Sequence, residues 1–202
     1  MKLRKNLLRR SRLYLILDKA VISSVSCSKI GIIQLRDKVS DKAFILSSAI
    51  KLARRLSKTK TLFIVNDYID IAILSGSDGV HLGQGDLPLK AARSLIGKDK
   101  IIGISCHNLR QALKAQREGA DYIGIGPIYK TATKLGVKPI GLIALRQLKG
   151  KIKIPYFAIG NIHGGNINEI LATGARRIAV CRAILKDNNP SRAASKLFDK
   201  LK

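Results

Sequence analysis

The chain has little to stack with, little to cross-link and few negative charges. Its 202 residues include no tryptophan, five tyrosines and four phenylalanines. That scarcity argues against a surface that grips single-stranded nucleic acid, which needs aromatic platforms as well as cations. Three cysteines, Cys27, Cys106 and Cys181, are odd in number, widely spaced and part of no CxxC pair. A disulfide framework and a structural zinc site are therefore both unexpected, and a reducing, cytoplasmic setting fits. Hydrophobic residues come in short blocks, far below the roughly 18 consecutive apolar residues of a membrane span, so no membrane association is expected. Residues 1–12 are basic, but Leu7 and Leu8 run straight into Arg9 and Arg10. This leaves no apolar signal-peptide core, and a solvated basic tail is the expectation.

Thirteen Asp and Glu stand against 38 Lys and Arg, a formal charge of +25. Such an excess attracts anions of every size. The cations are spread along the whole chain rather than gathered in one run, which favours small anionic substrates over a specific nucleic-acid partner.

What the chain does contain is a regular alternation. Eight short apolar blocks have strand character: residues 13–17, 30–35, 62–65, 79–82, 101–105, 122–125, 156–159 and 178–181. Near-continuous apolar runs of this length suit parallel strands covered by helices. Between them, helical spacing or composition predicts helices over 41–57, 68–74, 87–96, 108–118, 141–149, 166–172 and 191–201, with a weaker, serine-rich candidate over 19–28. In 41–57, Ile45, Ala49, Leu52 and Leu56 recur on one face, Ser40 is placed to cap the start, and Arg54 and Arg55 sit where the helix dipole favours cations. Eight strands alternating with helices predict an α/β chain folded as a single small (β/α)8 TIM barrel over 13–202, behind the basic tail of 1–12.

In such a barrel, chemistry sits where each strand ends. The polar residues of this chain fall there: Gln34, Arg36 and Lys38 after the second strand, Asn66 and Asp67 after the third, Gln84 and Asp86 after the fourth, and Ser105 and His107 after the fifth. Thr131, Thr133 and Lys134 follow the sixth, Gly160 and Asn161 the seventh, and Cys181 and Arg182 the eighth. Cations and hydroxyls suit phosphate oxygens. Asp67 and Asp86, on neighbouring strands, offer the one or two carboxylates that magnesium takes before completing its shell with water and phosphate. Together they predict a site for a diphosphate and Mg2+.

Other chemistries lack their parts. There is no GxxxxGK[ST] loop, and Gly124 and Gly126 lack the third glycine of a dinucleotide fingerprint. His81, His107 and His163 lack metal-ligand spacing; His81, inside an apolar strand, reads as a hydrogen-bonded barrel residue. Cys106 beside His107 is not a nucleophile pair, because adjacent strand residues point to opposite faces, and Cys106 is expected to be packing.

The segments QLRDK, NDYIDIA, SDGVHLGQGDLP, GISCHN, GADYIGIGPIYKTATK, AIGNI and AVCRAI, in that order, resemble the thiamine-phosphate synthase family. That resemblance implies condensation of a hydroxymethylpyrimidine diphosphate with a thiazole phosphate, giving thiamine phosphate and pyrophosphate. It also implies roles: Asp67 and Asp86 for magnesium; Arg36, Lys38, Asn66, Ser105 and Lys134 for the diphosphate; Gln34 for the pyrimidine. Thr131, Thr133, Gly160 and the backbone at Cys181 and Arg182 would receive the thiazole phosphate. Two positions depart from the family's pattern: Asn161 where a second glycine is common, and Arg182 where serine is usual. Alternative readings are a thiazole tautomerase-like relative, which would lack the pyrimidine diphosphate residues present here, and a basic nucleic-acid-binding barrel, which would give the aspartate pair no purpose.

Overall fold

Consecutive strands pair in parallel all the way round and the eighth returns to the first, closing a (β/α)8 barrel. The computed structural model describes residues 2–17, 27–131 and 137–202. The strands are β1 (Leu13–Leu17), β2 (Ile32–Leu35), β3 (Leu62–Asn66), β4 (Gly79–Leu82), β5 (Ile101–Cys106), β6 (Tyr122–Ile125), β7 (Tyr156–Ile159) and β8 (Ile178–Val180). The helices are α1 (Lys2–Arg10), α2 (Lys42–Leu56), α3 (Ile69–Leu74), α4 (Leu89–Ile96), α5 (Leu109–Arg117), α6 (Gly141–Leu148), α7 (Ile167–Ala172), α8 (Arg182–Leu185) and α9 (Pro190–Lys200). The helix expected over 19–28 lies outside the described residues except for a 3-10 turn at Cys27–Lys29. Among the described residues, no helix is long and apolar enough to cross a membrane.

The strands are apolar throughout because both of their faces are buried, in two separate cores. Leu13, Leu15 and Leu17 of β1 face the helices, as do Phe63 and Val65 of β3. Tyr14 and Ile16, and Leu62 and Ile64, alternate with them and fill the lumen together with Ile32, Ile101, Tyr122 and Phe157. Gly103 has a specific place in that lumen: a Cβ there would lie 2.1 Å from Cζ of Tyr122. The missing side chain is what lets the Tyr122 ring lie across the barrel.

Two G-x-D sequences close the lower end. Gly76–Asp78 precedes β4 and Gly119–Asp121 precedes β6. Each aspartate accepts from the backbone N–H of the preceding strand, Phe63 N to Asp78 at 3.0 Å and Ile102 N to Asp121 at 2.9 Å. Both carboxylates then meet cations from elsewhere. Asp121 pairs with Arg93 at 2.6 Å and Lys5 at 3.3 Å, and Asp78 with Arg4 at 2.6 Å.

Those last two pairs correct one expectation. The described residues of the expected 1–12 tail do not form a solvated tail, because Lys2–Arg10 is a helix across the barrel's lower end, with Leu8 only 2% exposed among the lumen residues. The basic residues hide this when read alone. Their counter-charges lie about seventy and more than a hundred positions away in sequence, at Asp78 and Asp121. A second, smaller correction concerns α2: its cap is Asp41, which accepts from Phe44 N at 2.7 Å, not Ser40. An aspartate there satisfies the orphan donor and also suits the positive end of the helix.

Leu8→Ala should therefore lower unfolding free energy by about 2–4 kcal/mol in urea titrations, as for other buried leucines. A loss below about 0.5 kcal/mol, typical of surface positions, would contradict the plugging role of α1.

Candidate active site

A cavity of about 570 Å³ opens at the end of the barrel where the strands terminate. Gln34, Arg36, Asn66, Ser105, Thr131, Gly160, Cys181 and Arg182, all expected from the sequence, line it. Lys38, Asp67 and Asp86 are not among its lining residues and stand beside it. Thr133 and Lys134 lie outside the described residues.

The loop after β2 shows how neighbouring residues are sorted. Arg36 continues the inward phase of Gln34 and lines the cavity. Asp37 folds back and accepts from the N–H groups of Val39 and Ser40 at 2.9 and 3.0 Å, fixing a tight turn. Lys38, turned outward by that loop, meets Asp67 at 2.9 Å.

Asp67 sits at φ 62°, a left-handed conformation uncommon for a residue with a side chain. Its N–H donates to the carbonyl of His81 on the next strand at 2.8 Å, which holds the turn in place. Asp86, from the loop after β4, accepts from Gly83 N at 2.6 Å and lies within hydrogen-bonding range of Asp67. Burial raises the Asp67 carboxyl above its ordinary value of 3.8; the Lys38 hydrogen bond opposes this, and the Asp86 charge adds to it. Two carboxylates drawn together despite repulsion are hard oxygen donors of the kind magnesium takes. A divalent cation would relieve both the desolvation and the repulsion.

Across the mouth the chain turns sharply after β7. Gly160 adopts φ 114°, and a Cβ on it would meet Pro127 Cα at 2.6 Å and Ile128 N at 2.7 Å. Only glycine fits both the conformation and the space. Asn161 follows at φ 49°. Asparagine is among the non-glycine residues that best tolerate this region, which accounts physically for its standing where glycine is common. Arg182 begins α8, and it, Lys186 one turn later and His163 border the same cavity. Arg182 and Lys186 make the β7–β8 side cationic; Lys186 and His163 were not anticipated as cavity residues.

The floor of the cavity held the larger surprise. Gln34 Nε2 donates to the Tyr14 hydroxyl at 2.7 Å, and the Tyr14 and Tyr122 hydroxyls are 2.8 Å apart. Tyr122 reaches His81 Nδ1 at 3.0 Å, and His81 Nε2 lies 2.9 Å from Ser105 Oγ. Tyr14 and Tyr122 read as apolar strand residues in the sequence; nothing local marks their hydroxyls as joined. The expectation that His81 is hydrogen-bonded inside the barrel agrees with this geometry. Burial pushes both phenols above their ordinary value, so both keep their protons. Cys106 is fully buried with its thiol pushed up to about 12, which makes it inert packing as expected. Both Cys106 and His107 border the cavity.

Comparison with known proteins places this geometry among relatives. A family profile described as thiamine monophosphate synthase matches residues 13–184. The chain is 39% identical over 200 residues to the thiamine-phosphate synthase of Clostridium acetobutylicum, covering 95% of each chain. It is 41% identical over 182 residues to that of Synechocystis sp., covering 90% of this chain but 53% of the relative, so it spans about half the length of that protein. Among solved structures, a thiamine phosphate pyrophosphorylase from Pyrococcus furiosus superposes with a TM-score of 0.84 at 31% identity, covering 98% of both chains. A 3-hexulose-6-phosphate synthase at 18% identity and a TM-score of 0.65 shares the fold.

In metal-free protein, Asp86→Asn should lower the Asp67 pKa and Lys38→Ala should raise it, read by carbon-13 NMR of the carboxyl. A group whose folded value is raised removes stability as pH climbs from its unfolded value through its folded one. Asp86→Asn should therefore shrink this carboxyl's share of that loss. An Asp67 titration indifferent to Asp86 would contradict the convergence of the pair.

Proposed function

Since the chain belongs to the thiamine monophosphate synthase family, we propose that it is a magnesium-dependent transferase. It joins 4-amino-2-methyl-5-hydroxymethylpyrimidine diphosphate to 4-methyl-5-(2-phosphoethyl)thiazole, giving thiamine phosphate and pyrophosphate. The observation that carries this reading is the approach of Asp67 and Asp86 to one another beside a cavity bordered by Arg36, Asn66 and Ser105.

Each described residue's part follows from its place, and the parts of Thr133 and Lys134 follow from the family's pattern. Gln34, buried at the floor, faces the aminopyrimidine. Arg36, Lys38, Asn66, Ser105 and Lys134 bind the diphosphate oxygens, the arginine through its planar fork and the lysines as mobile point charges. On the opposite side, Thr131, Gly160, the backbone at Cys181, and Arg182 receive the thiazole phosphate, where barrels commonly bind phosphate after strands seven and eight, and the family's pattern adds Thr133 to them. The two anionic groups are thus held apart with the reacting carbon between them.

The C–O bond to the diphosphate breaks first, and the electron-rich aminopyrimidine stabilises the resulting cation until the thiazole nitrogen attacks. Ile16, Phe157 and Ile159 line the cavity beneath the polar rim. Their task is to keep water from the cation, while the basic residues and Ser105 stabilise charge growing on the departing diphosphate. Magnesium, when bound by Asp67 and Asp86, would supply further positive charge at that leaving group.

Incubating the purified chain with both substrates should yield thiamine phosphate with magnesium and essentially none after chelation. Asp86→Asn should keep the wild-type circular dichroism spectrum and lose about a hundredfold or more in turnover. Failure of the wild type to form product would overturn the reading, and full turnover by Asp86→Asn would overturn the metal assignment.

A further inference from the structure

The chain of contacts under the cavity runs from β2 to β1, across the lumen to β6, and on through β4 to β5, joining Gln34 to Ser105 through Tyr14, Tyr122 and His81. Gln34 and Tyr14 are 2% exposed, Tyr122 is fully buried and His81 is 8% exposed. Polar groups buried to this degree are held by hydrogen bonds, and these contacts supply them.

Each hydroxyl in the chain has one proton to donate, and a neutral imidazole has one N–H and one bare nitrogen. Two arrangements use every link and also spend both phenol protons within the chain. In the first, the Gln34 amide donates to Tyr14, Tyr14 to Tyr122, Tyr122 to His81 Nδ1, and His81 Nε2–H to Ser105 Oγ; the serine proton then stays available to the cavity. In the second, every arrow reverses: Ser105 donates to Nε2, and Gln34 must turn its carbonyl oxygen toward Tyr14. A mixed arrangement, in which one phenol oxygen accepts from both neighbours, leaves that phenol's own O–H without an acceptor in the chain, at the desolvation penalty of the unpaired group.

We propose that Tyr14, Tyr122 and His81 are positioning residues that hold this chain in the first arrangement. They fix His81 as the Nε2–H tautomer and so make Ser105 a hydrogen-bond donor toward the leaving diphosphate. The inference rests on the synthase reading for the identity of the anion at Ser105, but the polarity of the chain is a property of the protein alone.

The chemistry at both ends favours the first arrangement. An anionic diphosphate needs donors, and a serine whose proton is spent on His81 would present only lone pairs to it. At the other end, one N–H of Gln34 is occupied by Tyr14, leaving the second N–H and the carbonyl oxygen as a donor–acceptor edge. That edge complements a ring nitrogen beside an exocyclic amine, the pairing by which Gln reads adenine. Turning the Gln34 amide over would spoil this edge and reverse the chain in one motion. Recognition of the aminopyrimidine at Gln34 is thereby coupled to the readiness of Ser105 to assist departure of its diphosphate.

The test uses the three histidines of the chain. Nitrogen-15 labelling of histidine, with the His81 signals identified by their loss in His81→Asn, reads the tautomer directly in the full chain at pH 8 without substrate. The expected result is a neutral imidazole protonated at Nε2. Tyr122→Phe, which removes the partner of Nδ1, should shift His81 toward the other tautomer or a mixture, and Tyr14→Phe should do so more weakly. Both variants should lose about tenfold or more in kcat with KM for the two substrates nearly unchanged, as expected for loss of an interaction made in the transition state. An Nδ1–H tautomer or an imidazolium in the wild type would overturn the proposal, and that spectrum decides even if a variant fails to fold. So would folded Phe variants with unchanged spectra. A wild-type chain with the expected tautomer but no thiamine phosphate synthesis would instead overturn the synthase reading.

Discussion

Everything in this structure answers to the need to fill one closed lumen. Eight parallel strands turn alternate side chains inward, and whatever stands at those positions must pack or pair, because the interior of a barrel this small is a core and not a channel. In the lower half the answer is apolar: Ile32, Leu62, Ile101 and, from below, Leu8. Toward the mouth the inward residues become Gln34, Asn66, His81 and Ser105. Buried polar groups persist only when hydrogen-bonded. The result is a floor of mutually paired groups that is fixed before any substrate arrives.

That constraint explains why the functional residues sit as they do. Register places Asn66 level with His81, and His81 level with Gly103. The absence of a side chain at Gly103 lets Tyr122 cross to His81 and Tyr14. Above this floor, short loops carry the charged groups: the Asp37 turn delivers Lys38 to Asp67, and the left-handed turn at Asp67 delivers its carboxylate to Asp86. The rigid part of the site comes from strands and the charged part from loops, the division expected of a barrel enzyme.

Much of this was readable in the residues themselves. The strand blocks were found nearly in place because two-sided burial writes a strand as an unbroken apolar run, and punctuation by aspartate, asparagine and glycine marked where each one ends. The polar residues at those ends were legible for the same reason. Four features were not. The α1 plug depends on Asp78 and Asp121, which no local pattern links to Arg4 and Lys5. Asp41 and Ser40 are both capable caps, and backbone geometry chose between them. Lys186 reaches the cavity only because α8 turns it back over the mouth. The roles of Tyr14 and Tyr122 require knowing which strand residues face inward and at what height, a property of the closed sheet. Thr133 and Lys134 fall outside the described residues, and their parts rest on the family's pattern.

The excess of positive charge finds a local use in this account. Arg36 and Lys38 on one side, and Arg182 and Lys186 on the other, flank a mouth in which both proposed substrates carry phosphate. The central claim is that the aspartate pair turns this basic rim into a metal-assisted cradle for diphosphate. Titration calorimetry with inorganic pyrophosphate, run with magnesium and again in chelator, tests it most directly. The account predicts clear binding with the metal and a marked weakening without it; equal affinity under both conditions would contradict it.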